Sequence, residues 1–362
     1  MNEKRIQVSI LADFTREVFV ARGLGRDDAA VGADVLLAAD LRGIDTHGIS
    51  RLKYYSDRLK AGIIRPAVKL DIVRETPTTA VVDCNLGPGH ASAARAMEIA
   101  MAKAKRGGIG AVAVRNATHF GIAGYYPLMA ANAGMIGIAA TNARPAVAPT
   151  FSTQPMFGTN PLAVSAPTDE EFPFWFDAAL STIQRGNIEV AAREHEPLPE
   201  GWAVDANANP VTDAAALLRK LNDGSGAVLP LGGAGEDFGG HKGYGLSLIV
   251  ELLCAALQDG DYLTKLAGGV EGGSAQAYRL GHFFMAINIE SFIPLAAFRK
   301  ISGDMMRTLR AARKAPAANR VWTPGEKEFE IMCERQRDGI PAGDELLREL
   351  RQLGSELHLT SP

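Results

Sequence analysis

The chain has 362 residues, of which 47% are apolar and 22% are charged, a balance typical of folded globular proteins with two or three domains. Its 38 Lys and Arg residues against 41 Asp and Glu residues give a net charge of −3, without the cationic excess that nucleic-acid binding requires. The three cysteines, Cys84, Cys254 and Cys333, are far apart. We therefore expect buried free thiols in a reducing compartment and no zinc site.

The start of the chain predicts helices. Apolar residues recur at helical spacing over residues 6–18, and a second helix is expected between a cap at Asp27 or Asp28 and a stop at Gly43. A third short helix is predicted over residues 49–59. The chain opens without an uninterrupted apolar secretion signal, so we expect a cytoplasmic protein.

Strand-like and helix-like segments alternate from about residue 70 to residue 300, a pattern that favours an α/β fold with a parallel sheet. The predicted strands are residues 69–73, 79–84, 109–115, 135–141 and 278–289, and the predicted helices are residues 91–105, 125–133, 213–221 and 243–257. The pattern becomes helical again over residues 307–313 and 329–334. These last helices are expected to pack on the N-terminal helices or on a partner subunit.

One stretch of the chain is almost free of charge. Between Arg115 and Asp169 the only charged side chain is Arg144. Repeated proline and asparagine residues interrupt the stretch, which argues against a helix long enough to cross a membrane. We predict buried sheet and ordered loops here, and no membrane partner.

Two glycine-rich segments lie next to predicted helices. The first, at Gly87 and Gly89, has Ser92 where the dinucleotide fingerprint has its third glycine, and no acidic residue ends the next strand. It therefore predicts a structural turn rather than a Rossmann site. The second, residues 239–245, carries Lys242 but lacks the G-K-[ST] ending of a phosphate-hydrolysing loop. Anion binding and a plain tight turn both remain open for it.

Two histidines are candidates for acid–base chemistry. His47 and Arg51 are four residues apart, so on a helix they project to one side. An arginine can hold a substrate carboxylate while an imidazole exchanges the hydroxyl proton, although a surface histidine beside a solvated arginine is the alternative. His119 follows a predicted strand, where ligand-binding loops collect, and a structural histidine remains equally possible. Thr141 and Thr159 add uncharged polar groups that suit a small-molecule pocket.

The pattern of residues 40–51, 116–124, 158–161 and 239–245 together resembles the malate/L-lactate dehydrogenase family that lacks a Rossmann fold. Relatives in that family include ureidoglycolate, sulfolactate and diketogulonate oxidoreductases and cyclic-imine reductases. The resemblance implies an α+β fold, in which a mixed, largely antiparallel, non-Rossmann sheet binds the cofactor and both chain ends form a helical domain. It also implies a homodimer and three parts, residues 1–70, 71–299 and 300–362.

The resemblance further implies roles for individual residues. His47 resembles the proton donor and Arg51 the carboxylate-binding arginine, while His119, Thr141, Thr159 and Arg144 are expected near the substrate. The cofactor-binding residues implied by position are Phe176, Asp177, Ala178, Ala179, Leu180, Ser181, Thr182, His241, Lys242, Gly325, Glu326 and Lys327. No metal is expected, and the expected cofactor is NAD, with NADP as the alternative.

The predicted function is reversible hydride transfer between a nicotinamide and a small 2-oxo or 2-hydroxy acid, either malate/oxaloacetate or L-lactate/pyruvate. A second cation, Arg144, beside a site that already holds Arg51 favours a dianionic acid such as oxaloacetate. Within the family, a reductase of a cyclic imino acid or of a diketo sugar acid is the alternative. Outside it, a non-catalytic metabolite-binding protein and a cofactor-independent lyase remain open.

Overall fold

The computed structural model describes residues 4–268 and 278–362, and of residues 269–277 it describes only the backbone of two short strands. The helices are α1 (Val8–Ala21), α2 (Arg26–Leu41), α3 (Leu52–Lys60), α4 (Gly89–Gly107), α5 (Tyr125–Asn132), α6 (Arg185–Glu194), α7 (Ala214–Asp223), α8 (Gly240–Cys254), α9 (Leu295–Arg310), α10 (Glu326–Asp338) and α11 (Asp344–Leu357). The strands are β1 (Lys4–Ile6), β2 (Asp71–Glu75), β3 (Thr79–Asp83), β4 (Ile109–Ala117), β5 (Met135–Thr141), β6 (Leu162–Ala166), β7 (Phe174–Ala178), β8 (Ala203–Asp205), β9 (Gly226–Val228), β10 (Val270–Glu271), β11 (Ser274–Ala275), β12 (Leu280–Asn288) and β13 (Ile340–Ala342).

A seven-stranded sheet in the order β2-β3-β4-β12-β5-β6-β7 forms the centre of the molecule. Only β3 and β4 pair in parallel, and the other five pairs are antiparallel. The α+β fold class is therefore confirmed, and the parallel sheet inferred from alternation alone is wrong. The reason is β12, which arrives from far along the chain and lies between β4 and β5, antiparallel to both.

Helices cover the sheet on both faces. Against one face, α4 and α5 bury an apolar layer that includes Val112, Tyr126 and Phe284. Against the other face, α8 packs Val250 and Cys254 on the sheet. The polypeptide between β4 and α5, which contains His119, therefore lies where the sheet and the helical layer meet.

The two ends of the chain share a second core. Leu11, Leu36 and Leu52 from the first three helices pack with Leu347 and Leu350 of α11, and β1 pairs antiparallel with β13. This core supports the end of α2 and the start of α3, between which His47 lies. The three-part division of the chain stays a prediction.

Three local expectations are wrong. Gly25, with no side-chain cap, precedes α2, and the proposed caps Asp27 and Asp28 lie inside its first turn, where carboxylates favour the positive end of the helix. The helix predicted over residues 307–313 begins at Leu295, directly after Pro294, and ends before residue 313. Of the three cysteines only two are buried, because Cys333 is exposed on α10. Among the described residues, no helix is long and apolar enough to cross a membrane.

Candidate active site

His47 and Arg51 lie on two consecutive 3-10 turns, Asp45–His47 and Ile49–Arg51, which join α2 to α3. The buried Asp40 at the end of α2 holds this segment, because its Oδ2 accepts the Ile49 backbone N–H at 2.7 Å. Gly48 permits that approach, since a Cβ there would lie 1.9 Å from the Asp40 carboxylate. The Arg51 guanidinium donates from Nε to the Thr46 carbonyl at 2.7 Å. The segment is thus fixed at Ile49 and at Arg51.

The structure brings His47 against His119. The two rings stack with their centroids 5.7 Å apart, and both border the same cavity. Burial, and after it the positive charge of Arg51, together lower the pKa of His47 to about 4. His47 is therefore neutral near pH 7 in the ligand-free site and able to accept a proton.

His119 owes its position to the start of α4. At Gly89, the first residue of α4, a Cβ would lie 2.2 Å from the His119 carbonyl oxygen and 2.4 Å from that of Thr118. Glycine thus lets the helix touch the loop that carries His119. The segment around Gly87 and Gly89 is a strand–turn–helix, as predicted, with β3 before it and α4 after it.

Two adjoining cavities share His119, and His47 borders the smaller of them. One has a volume of about 270 Å³ and the other of about 240 Å³, and His119, Ala143, Thr159 and Leu280 border both. Thr141 borders the smaller cavity, beside His47. The predicted residues His47, His119, Thr141, Thr159 and Arg144 therefore all border this connected space, whereas Arg51, the predicted carboxylate-binding residue, is not among the residues that line either cavity.

The larger cavity has a cationic wall. The Arg144 guanidinium lies 4.7 Å from the centre of the Tyr278 ring, on which it stacks. Arg58 lies between two tyrosines, 4.4 Å from the Tyr54 ring and 5.2 Å from the Tyr278 ring. Within the described part of the chain, neither guanidinium forms an ion pair, and nor does Arg51. The positive charges of these three arginines can therefore attract an anion.

The smaller cavity is bordered by a half-buried carboxyl group, that of Asp177. Asp177 on β7 accepts the Gly124 backbone N–H at 2.7 Å. Burial raises the pKa of Asp177, the Gly124 hydrogen bond lowers it, and the charge of Glu328, which borders the same cavity, raises it, with a net pKa of about 6. Ala179 lines the cavity beside it. Apolar residues such as Ile122 and Pro161 border the cavity together with this carboxyl group, and such a mixed lining could hold a planar ring that carries an amide group.

The rest of the predicted cofactor segment does not border either cavity. Phe176 and Ala178 lie on β7, and Leu180 is buried under α8. The hydroxyls of Ser181 and Thr182 are already bonded, to the carbonyls of Ile183 at 2.9 Å and Trp202 at 2.8 Å respectively. Their cofactor contacts stay predictions.

The other two predicted cofactor segments flank this one. His241 and Lys242 are exposed in the first turn of α8. This turn packs through Gly243 on Leu231. The Leu231 N–H in turn donates to the carbonyl of Leu180, in the first cofactor segment. A second contact involves Gly325, which lies at positive φ against Trp175 and precedes Glu326 and Lys327 on α10. Glu326 accepts from the Thr323 hydroxyl at 3.0 Å, and Lys327 lies 5.3 Å from the Trp322 ring.

Sequence reasoning missed several residues that border the cavities. Arg58 follows Arg51 by seven residues, which is two turns along the same side of a helix. The spacing could therefore have indicated that both side chains face the same site. Tyr54 lies between them on α3. Tyr278 and Glu328 are far away in the chain, and no local pattern indicates that they join this site. Among the described residues, no group of three or more His, Cys, Asp or Glu side chains is placed to hold a metal ion.

Comparison with known proteins adds a separate line of evidence. A family model described as malate/L-lactate dehydrogenase matches residues 6–351. Malate dehydrogenase of Pyrococcus horikoshii is 42% identical over 356 residues, which is 98% of this chain and 96% of that protein. L-sulfolactate dehydrogenase of Methanocaldococcus jannaschii is 38% identical over 358 residues, which is 99% of this chain and 96% of the other. The crystal structure of malate dehydrogenase from Entamoeba histolytica is similar with a TM-score of 0.95 and 42% identity, covering 100% of both chains.

Proposed function

This chain belongs to the malate/L-lactate dehydrogenase family, and from that premise we propose that it interconverts malate and oxaloacetate. It is a dehydrogenase acting on the CH–OH group of a small 2-hydroxy acid, and the family implies a nicotinamide cofactor. We propose NAD as that cofactor, with NADP as the alternative. The observation that carries the substrate assignment is that Arg51, Arg58 and Arg144 form no ion pair within the described part of the chain, and that the histidine of the same site, His47, is neutral.

The two carboxylates of malate match two separate cations. Arg51 lies on the segment of His47 and suits the carboxylate next to the reacting carbon, because a guanidinium binds a carboxylate through two parallel hydrogen bonds. Arg144, which borders the larger cavity, suits the second carboxylate. Malate and sulfolactate, which name two relatives, both carry a second anionic group. Lactate has one carboxylate and no second anionic group, so it would leave Arg144 without a partner.

His47 handles the proton. Its Nδ1 lies 2.9 Å from the Thr46 hydroxyl, and we propose that Nδ1–H donates to that oxygen so that Nε2 is free to act as the base. In malate oxidation, Nε2 accepts the hydroxyl proton as the C–O bond becomes a carbonyl; in oxaloacetate reduction, protonated His47 returns it. A bound nicotinamide would supply the hydride acceptor for oxidation at C2 and the hydride donor for reduction there. The bound dianion favours the protonated form of His47 and so supports the return step.

The protein contributes orientation in addition to the proton. Asp177, Ala179 and Thr141 border the cavity next to His47, and we propose that they hold the nicotinamide ring and its amide there. Effective concentration gained by such positioning is a large part of enzymatic rate enhancement. The segments at His241 and Lys242 and at Gly325 to Lys327 are proposed to hold more distant parts of the cofactor.

We also propose a homodimer, built on the face of the sheet that carries α8. Hydrogen-bonded neighbours Ala111, Met285, Ile138, Val164 and Phe176 form a half-buried apolar row across five strands of that face. Beside this row, the outer side of α8 exposes further large apolar side chains, Leu248, Ile249 and Leu252. An apolar area of this extent is typical of an interface, and a second copy of the chain offers a matching surface through two-fold symmetry.

The experiment that tests the function is a substrate panel followed by the loss of reduced-nicotinamide absorbance. NADH and NADPH are each combined with oxaloacetate, pyruvate, sulfopyruvate, a diketo sugar acid and a cyclic imino acid. We expect NADH and oxaloacetate to give the highest kcat/KM. Fast turnover of the cyclic imino acid alone would replace the proposal by the reductase alternative, and absence of cofactor binding would contradict the dehydrogenase assignment.

A further inference from the structure

A tyrosine behind His119 controls the hydrogen bonding of that ring. The Tyr55 hydroxyl on α3 lies 2.6 Å from His119 Nδ1, although the two residues are 64 positions apart. The Gly121 backbone N–H points at the same ring nitrogen, at 3.3 Å. Two donors thus converge on Nδ1. Within the described part of the chain, Nε2 of His119 has no hydrogen-bond partner.

The protonation state of this pair follows from its surroundings. Burial raises the pKa of Tyr55 above its ordinary value, so the phenol keeps its proton. Burial lowers the pKa of His119 well below its ordinary value, and the permanent positive charge of Arg51 acts in the same direction. A neutral imidazole carries one N–H and one acceptor nitrogen. The remaining question is which nitrogen holds the proton.

The surroundings of Tyr55 answer this question. The tyrosine is 2% exposed, and its ring packs edge-on against His90, with centroids 4.4 Å apart, and against Phe19, at 6.5 Å. Among the described residues, its hydroxyl has no acceptor except His119 Nδ1. A proton on Nδ1 would face the Gly121 N–H and leave the buried Tyr55 O–H without an acceptor, which costs free energy. The proton therefore resides on Nε2.

We propose that Tyr55 is a positioning residue that fixes His119 as the neutral Nε2–H tautomer, so that His119 donates a hydrogen bond to the reacting oxygen of the substrate. This inference rests on the proposed function for the identity of that oxygen. The stacked rings then perform different tasks: His47 exchanges the proton, and His119 stabilises the negative charge that develops on the same oxygen. Because His119 donates while it is neutral, it needs no protonation step of its own.

The tautomer is tested by nitrogen NMR of the ligand-free protein with 15N-labelled histidine. The His119 signals are identified by their loss in His119→Gln. We expect an unprotonated Nδ1 and a protonated Nε2 throughout the pH range in which the protein is folded. A protonated Nδ1, or a signal averaged between the two tautomers, would overturn the proposal. This measurement requires no substrate, so it stands whether or not oxaloacetate is turned over.

The effect of the tyrosine on the reaction is tested with Tyr55→Phe. Loss of one hydrogen bond of ordinary strength should lower kcat about two- to tenfold, with little change in KM for the oxo acid, and the His119 signals should move towards averaging. Tyr126→Phe is the matched control, because Tyr126 is also buried and its hydroxyl bonds to the Phe120 carbonyl. The control should leave the His119 signals unchanged.

Two results would separate a positioning role from a structural one. If Tyr55→Phe folds and its kcat equals that of the wild type, the proposal is wrong even when the substrate assignment is right. If Tyr126→Phe shifts the His119 signals as much as Tyr55→Phe does, the effect comes from loss of packing and the proposal also fails. Inactivity of the wild type on every panel substrate would instead count against the proposed function, and the NMR result would remain valid.

Discussion

At the scale of single residues, the permanent charges of the site belong to arginines, and the proposed proton exchange belongs to a histidine. Burial and Arg51 keep the pKa of His47 at about 4, so the ligand-free enzyme holds a neutral base next to permanent cations. A guanidinium cannot lose its proton at physiological pH, so the arginines keep their positive charges throughout this range. His119, held by Tyr55, adds a neutral donor to the same cavity.

The contribution of Arg144 can be measured by its effect on two substrates. Arg144→Ala should raise KM for oxaloacetate more than KM for pyruvate, because only the dianion has a second carboxylate to lose its partner. Loss of a charged hydrogen bond, at about 1.5–3 kcal/mol, corresponds to a KM ratio on the order of tenfold or more. The check is steady-state kinetics with both acids.

A control variant is available on the surface of the same enzyme. Arg313→Ala removes an exposed arginine that borders neither cavity, and it should change neither KM. Equal increases for oxaloacetate and pyruvate in Arg144→Ala would show that Arg144 shapes the pocket without selecting the dianion.

At the scale of elements, the sequence predicted those helices and strands whose bounds depend only on their own residues. The strand predicted over residues 135–141 has the bounds of β5, because Gly134 precedes an apolar run of strand length. The pairing of β12 between β4 and β5 was not predictable, since it depends on contacts between segments that are more than 130 positions apart. The contact between Tyr55 and His119 was missed for the same reason.

The site was predictable in part. His47 and Arg51 stand out because a titratable group and a permanent cation lie four positions apart, and His119 follows a recognisable strand. The absence of ion pairs at Arg58 and Arg144 within the described residues, and the stacking of both on Tyr278, depend on the folded arrangement of three separate segments. Spacing alone carries no information about such a wall.

At the scale of the whole molecule, the apolar face of the sheet predicts the oligomeric state. Leu252→Glu should convert the dimer to a monomer, because Leu252 is 54% exposed in the single chain and a charge there costs little until a second copy covers it. Ile72→Glu on the edge strand β2 is the control, since Ile72 is similarly exposed, at 51%. Sedimentation velocity of both variants checks this. A monomeric wild type, or a Leu252→Glu variant that stays dimeric, would contradict the proposed interface.

The central claim is that His47 exchanges the substrate proton during nicotinamide-dependent interconversion of malate and oxaloacetate. The most direct measurement is kcat of His47→Asn with oxaloacetate, together with the Kd of the variant for NADH. We expect kcat to fall by roughly 10²–10⁴-fold, the usual contribution of a general acid–base group, while the Kd for NADH stays within about twofold of the wild type. An unchanged kcat would contradict the account.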